Sequence, residues 1–88
     1  MRGSLLLPLF ALPLVLTAQP QRAEQHLERA RSAYSAARLE EALAHADSAL
    51  AADATVPGGY KLRGDIKQRN ADLHGALLDY VRAEKQND

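Results

Sequence analysis

The chain contains no cysteine, which excludes disulfide bonds and thiolate metal sites. It also excludes the lipid anchor of bacterial lipoproteins, which is attached to a cysteine at the cleavage site. β-branched residues are too scarce to build a sheet, because only Thr17, Thr55, Ile66 and three valines are present. There is no excess of either charge, with 11 acidic and 11 basic residues. The strongly basic surface that a nucleic-acid backbone requires is therefore missing, and we expect no nucleic-acid partner.

What the chain does contain favours helices. Its 88 residues suffice for one small domain. Alanine, leucine, arginine and glutamate dominate, and all four are strong helix formers. The composition therefore predicts an all-α protein.

The start of the chain, from Met1 to Ala18, has the three parts of a secretory signal peptide. Arg2 gives a positive start, residues 5–16 are apolar, and Thr17 and Ala18 end the run before the chain becomes polar. We expect residues 1–18 to form a signal-peptide helix that is cleaved after Ala18, so that an exported protein, periplasmic or secreted, begins at Gln19. The alternative is an uncleaved membrane anchor. It is disfavoured because the run is shorter than the ~20 residues that a spanning helix needs, and it contains Pro8 and Pro13.

The remainder of the chain repeats itself at a constant offset, without a gap. The offset is the one that separates Ala42 from Ala76. It relates further pairs: Ala30 and Gly64, Leu39 and Leu73, Leu43 and Leu77, Ala46 and Tyr80, Ala49 and Ala83, His26 and Tyr60, Arg29 and Arg63. This offset equals the period of the tetratricopeptide repeat, which is about 34 residues.

The residues at the repeat positions resemble the tetratricopeptide family. Repeat two, residues 57–88, carries the family's aromatic and small positions at Tyr60, Gly64, Ala76, Tyr80 and Ala83. Repeat one, residues 23–56, is a weaker match at His26, Ala30, Ala42, Ala46 and Ala49. The resemblance implies two tandem helix–turn–helix hairpins in residues 19–88, forming a short right-handed α-solenoid. It also implies that the small residues let the two helices of a hairpin approach closely, with Tyr60 and Tyr80 packed beside them.

The predicted helices cover residues 21–36, 39–52, 57–70 and 73–86, with Pro57 suited to a helix start and residues 54–59 linking the repeats. Asp72 is a good N-cap residue and Arg38 is not. Arg29 and Arg63 depart from the family, which usually has leucine there. We expect Leu27 and Leu62 to compensate by a rotation of the helix face.

No residues suggest catalysis. His26, His45 and His74 occupy different repeat positions, so the periodicity does not bring them together, and we expect no metal site and no cofactor. Gly58 and Gly59 are expected to form a flexible connection before the first helix of repeat two. Four aspartates are expected to be solvated on exposed helix positions: Asp47, Asp53, Asp65 and Asp79. The chain is therefore expected to be a binding module rather than an enzyme.

In the family, the first helix of each repeat lines a concave groove. Carried over by position, the groove candidates are Leu27, Arg31, Tyr34, Lys61, Asp65, Gln68 and Arg69. Arg31, Lys61 and Arg69 offer charge to a peptide carboxylate, and Leu27 with Tyr34 offers an apolar contact. Two alternatives stay open: Tyr34 fits a core position as well as a ligand contact, and this charged face fits a merely solvated surface.

Two functions follow. The first is an exported tetratricopeptide-like module that binds a peptide or protein through the groove. The alternative is a structural subunit that stacks on another repeat protein or self-associates through its C-terminal helix, since Leu77, Leu78 and Val81 cannot all point into the hairpin. Two repeats bury little surface, so a weak homodimer, or a monomer stabilised by a partner, is expected to form through the fourth helix. Glu84 occupies the position that corresponds to Leu50 of repeat one. This exchange of an apolar for a charged residue is typical of a terminal repeat that faces solvent, and it argues against self-association.

Overall fold

A computed structural model describes residues 17–87, and these residues form four helices and no strand. The helices are α1 (Pro20–Ser35), α2 (Leu39–Ala52), α3 (Gly59–Arg69) and α4 (Leu73–Lys85). The expectation of an all-helical chain is confirmed. The predicted signal peptide, apart from its last two residues, lies outside the described range.

The helix boundaries follow the sequence pattern closely except at the start of α3. The sequence predicts that Pro57 opens this helix, but α3 begins two residues later, at Gly59. Gly58 has a φ of +77°, a left-handed conformation that glycine adopts at little cost. The chain therefore turns at Gly58 before helical geometry begins.

Both hairpins use the same tight turn, at equivalent positions of the two repeats. At the end of α1, Ala37 has a φ of +62° and the amide of Arg38 donates to the Ala33 carbonyl over 2.9 Å. At the end of α3, Ala71 has a φ of +66° and completes the same pattern of hydrogen bonds. This is the Schellman arrangement, which satisfies the last carbonyls of a helix and reverses the chain.

The two second helices start differently. Asp72 caps α4, because its Oδ1 accepts the Gly75 amide at 3.0 Å, as predicted. Arg38 makes no side-chain cap on α2. Glu40 and Glu41 lie in the first turn of α2 instead, where negative charge interacts favourably with the helix dipole.

The apolar core lies between α1, α2 and α3. Its fully or nearly buried members form two clusters: Ala23, Leu27, Ala49, Leu50 and Val56 in one, and Ala30, Ala33, Ala42, Ala46 and Ile66 in the other. Neither cluster contains a residue of α4. That helix buries Ala76 and Ala83, and among the four helices it packs against α3 alone. One side of α4 is therefore left without a neighbouring helix. Within residues 17–87, no helix combines the length and hydropathy needed to cross a bilayer.

Candidate interaction surfaces

Three of the groove residues meet on one surface between α1 and α3. Arg31, Lys61 and Asp65 line a shallow depression of about 190 Å³ together with Gly58 and Leu62. Leu62 is half-buried and supplies the apolar part of the lining. The depression is thus a mixed surface with two cationic side chains, one carboxylate and one leucine.

The charged groups of this depression already have partners. Arg31 Nη1 lies 3.2 Å from Glu28 Oε1, one turn earlier on α1. Lys61 Nζ lies 3.5 Å from Asp65 Oδ2, one turn later on α3. Exposed ion pairs of this kind contribute at most about 1 kcal/mol each, so a ligand can displace them at small cost.

Tyr34 and Arg69 form the next part of the same surface. The Arg69 guanidinium lies over the Tyr34 ring, 5.2 Å from its centroid, and Nη1 donates to the Tyr34 carbonyl over 3.2 Å. Tyr34 is half-buried beside the second core cluster. One face of the ring is therefore occupied by Arg69, and this contact joins the end of α1 to the end of α3.

Leu27 is not available to a ligand. The sequence places it in the groove, but it is completely buried in the first core cluster with Ala23 and Val56. The same cluster contains Ala49 and Leu50 of α2, so Leu27 is enclosed by α2 as well as by the loop before α3. The apolar contact expected of Leu27 is left to Leu62 and Tyr34.

Asp65 and Gln68 lie against α4 rather than facing solvent freely. The Tyr80 hydroxyl donates to Asp65 Oδ1 over 2.5 Å and lies 2.9 Å from the Gln68 amide oxygen. Burial of the phenol, followed by its hydrogen bond to Asp65, raises the pKa of Tyr80 to about 12. The half-buried Asp65 thus differs from the solvated position expected for it, since it orients Tyr80 within the second hairpin.

Asp79 overturns a sequence expectation most clearly. The sequence predicts a solvated carboxylate, but Asp79 is 0% exposed. Arg63 approaches the carboxylate with two nitrogens, Nε at 2.8 Å from Oδ2 and Nη2 at 2.9 Å from Oδ1. Lys67 Nζ lies 3.0 Å from Oδ2, and Arg82 Nη1 lies 2.8 Å from Oδ1. Three cations thus neutralise one buried carboxylate.

The electrostatics of this cluster favour the charged forms. Burial by itself would raise the pKa of Asp79, but hydrogen bonds from Arg63 and Lys67 outweigh it and hold the pKa below its ordinary value. The hydrogen bond to Asp79 raises the pKa of Arg63. Arg63 also reaches Asp47 on α2, with 2.9 Å between Nη1 and Oδ1.

This cluster explains how arginine is accommodated at position 63, where the resemblance to the tetratricopeptide family leads one to expect leucine. The guanidinium occupies the interface between α3 and α4, where the family usually has leucine, and it is neutralised by Asp79 instead of being turned outward. At the corresponding position of repeat one, Arg29 is exposed and Leu27, two residues earlier, is buried. A sequence signal did exist, because Arg63 and Asp79 directly precede Gly64 and Tyr80, which pack together across the same interface.

His26 and His45 face each other across α1 and α2, although they occupy different positions of the repeat and the periodicity does not bring them together. Their ring centroids are 5.8 Å apart. The Nδ1 atom of His26 is buried without a hydrogen-bond partner, and burial, then the charge of Arg29, lowers the pKa of this imidazole. In residues 17–87, no three histidine, aspartate or glutamate side chains group as metal ligands.

The large hydrophobic side chains that residues 17–87 leave exposed all lie on the outer side of α4. Leu73 is 65% exposed and Leu77 is 59% exposed, and Leu78 and Val81 are exposed by more than two fifths. These four residues are named here the α4 face. The sequence predicts that part of the set Leu77, Leu78 and Val81 stays outside the hairpin, and all three do.

The residues at the predicted packing positions all lie inside the helical layers. Six alanines are buried: Ala30, Ala42, Ala46, Ala49, Ala76 and Ala83. Gly64 is buried against the Tyr80 ring, and Tyr60 is half-buried with Arg63 and Arg82 near its ring.

Comparison with protein-family models, curated proteins and solved structures finds no match to this chain.

Proposed function

We propose that this chain is an exported protein-interaction module that assembles with a protein partner through the α4 face. The observation that carries the proposal is the exposure of four large apolar side chains on one helix that, among the helices of residues 17–87, contacts only α3. An apolar patch of this kind on a small domain typically marks a protein contact. Burying such side chains is favourable by roughly 1.5–3 kcal/mol each when the burial is complete.

The repeat architecture supports the proposal. The constant repeat offset, the shared Schellman turns and the small residues between paired helices are what two tetratricopeptide-like hairpins in a short right-handed solenoid would have. In such an array each hairpin covers an apolar face of its neighbour. Here α3 covers one side of α2, and no described helix covers the corresponding side of α4.

The groove between α1 and α3 is the second candidate. The depression lined by Arg31, Lys61 and Asp65 favours it, because two cations beside a leucine suit a peptide carboxylate next to an apolar side chain. We rank it second because Leu27, its expected apolar contact, is buried, whereas the exposed large apolar side chains of residues 17–87 all lie on α4.

Affinity capture from the exported fraction distinguishes the two surfaces. The baits are the unaltered protein and three variants. Leu77→Glu alters α4, Lys61→Ala alters the groove, and Arg38→Ala is a control at the exposed N-cap position of α2. The proposal expects a partner that is lost with Leu77→Glu and kept with the other two variants. A partner lost only with Lys61→Ala would instead assign binding to the groove.

A further inference from the structure

The sequence of the α4 face has the spacing of an antiparallel helix pair. His74, Leu77, Val81 and Glu84 follow one another at intervals of three, four and three residues, which places them in one stripe along the helix. All four are exposed. Leu73 and Leu78 flank this stripe and widen its apolar centre.

A two-fold axis through the middle of α4 matches this stripe to itself. In an antiparallel pair centred on Asp79, residues at equal distances before and after Asp79 lie opposite each other. Leu77 therefore meets Val81 of the second copy, and His74 meets Glu84 of the second copy. Apolar residues then pair in the centre. Each Glu84 carboxylate lies at the N-terminal end of the opposite helix, where negative charge is favourable.

A head-to-tail stack of copies fits the surface less well. In the contact between hairpins, α3 presents mostly apolar residues to the first hairpin: Gly59, Leu62 and Ile66. Their counterparts one repeat earlier, on the outer side of α1, are polar and exposed: Gln25, Glu28 and Ser32. Placing this side of α1 on the α4 face would bury polar groups against leucines, which is unfavourable.

The α4 face also differs from the surface that α3 uses on α2. Asp47 of α2 pairs with Arg63, but its counterpart on α4 is Val81. Leu50 packs beside Gly59, but its counterpart is Glu84. The exchange of charged and apolar positions means that α4 does not present the surface that receives an α3-like helix.

We infer that the partner of the α4 face is a second copy of this chain, packed antiparallel about a two-fold axis through α4. This inference rests on the proposed function. The interface closes on itself, so assembly stops at the dimer. A helix of 13 residues is only about 20 Å long, and a single helix pair of this length buries less than the ~1,600 Å² of a standard interface. The dimer is therefore weak and dissociates on dilution.

Sedimentation equilibrium from low to high micromolar concentration tests the inference, using protein recovered from the exported fraction. The expected result is an average mass that rises to twice the monomer mass and no further. Leu77→Glu should abolish the rise while circular dichroism and thermal unfolding of the monomer stay unchanged, because Leu77 is exposed. Ser32→Arg, on the outer side of α1, is the matched control and should leave the dimer intact.

A charge exchange tests the antiparallel register. His74→Glu should weaken the dimer because it places two carboxylates together at each end, and adding Glu84→Lys should restore association. Failure of the double variant to restore it would overturn the register, and growth beyond the dimer that is lost with Ser32→Arg would overturn the two-fold arrangement. A monomer at every concentration would overturn the inference. The proposed function would fail separately, if the Leu77→Glu bait captured the same partners as the unaltered protein.

Discussion

Arg63 and Asp79 join α3 to α4 through a two-point ion pair, with nitrogen-to-oxygen distances of 2.8 and 2.9 Å around a carboxylate that is closed off from water. This ion pair connects the two helices of the second hairpin, whereas buried apolar residues connect the two helices of the first. Because a buried charge is tolerated only in the presence of its partners, we expect the pair to hold α4 in this position on α3, with the apolar side of α4 facing outward.

Removing Asp79 should destabilise the protein strongly. Asp79→Ala leaves Arg63 and Lys67, both largely shielded, without their carboxylate, and such a loss costs roughly 3–5 kcal/mol. Urea unfolding followed by circular dichroism measures the change. Asp47→Ala is the matched control, because Asp47 is mostly exposed and its pair with Arg63 contributes about 1 kcal/mol or less. Equal effects of the two substitutions would contradict the assigned role of Asp79.

Glycine at the two hairpin turns should stabilise the protein. Ala37 and Ala71 both have φ above +60°, where a Cβ atom costs about 1–2 kcal/mol and glycine avoids that cost. Ala37→Gly and Ala71→Gly should therefore each raise the free energy of unfolding, by about 1 kcal/mol after the greater entropy of unfolded glycine is subtracted. The control is Ala44→Gly, at an exposed position inside α2, which should lower it by about 1 kcal/mol. A loss of stability at both turns would show that these residues are not left-handed.

Gly64 should not tolerate a methyl group while Tyr80 is present. A Cβ atom there would lie 2.7 Å from the Tyr80 ring, so Gly64→Ala should cost about 1–3 kcal/mol by overpacking. In a Tyr80→Ala background the ring is gone, and the same substitution should become neutral or favourable because alanine is the better helix former. A double-mutant cycle by chemical unfolding measures this coupling. Additive effects of the two substitutions would argue against the contact.

Stability should fall as the pH drops below about 6.5, because of His26. Burial, then the charges of Arg29, His45 and Arg22, lowers the folded-state pKa of His26, so in this window the unfolded chain binds more protons than the folded one. The resulting loss of stability grows from the unfolded pKa down to the lowered folded pKa. Thermal unfolding between pH 8 and about 5 should show it. His26→Gln should flatten the profile, because it removes the imidazole whose pKa is lowered in the folded protein.

The exported protein should begin at Gln19. Cleavage after Ala18 keeps the Gln19 nitrogen, which donates to the Ala52 carbonyl over 3.0 Å and joins the start of the mature chain to the end of α2. Intact mass measurement of the exported protein identifies the first residue. Recovery of a membrane-associated species that retains residues 1–18 would contradict cleavage and favour the anchor.

Much of the fold was predictable because it depends on neighbours in sequence. Helix bounds follow from composition, periodicity and local signals such as the Asp72 cap, and each of these acts within a few residues. The repeat offset aligns Leu39 with Leu73, and both residues begin a helix. The buried alanines were identifiable for the same reason, since the offset places small residues at equivalent points.

The surfaces were decided by tertiary structure, because burial depends on which distant side chains arrive. Leu27 and Leu77 are both leucines on helices, yet Leu27 is buried in a cluster with residues of α2 and of the loop before α3, whereas no described helix covers Leu77. Asp79 is expected at the surface because a lone carboxylate is strongly disfavoured inside a protein, even though it lies one helical turn from the packing residues Ala76 and Ala83. Only the packing of α3 on α4 brings Arg63 and Lys67 to it, and their charge compensates for the hydration that Asp79 loses on burial.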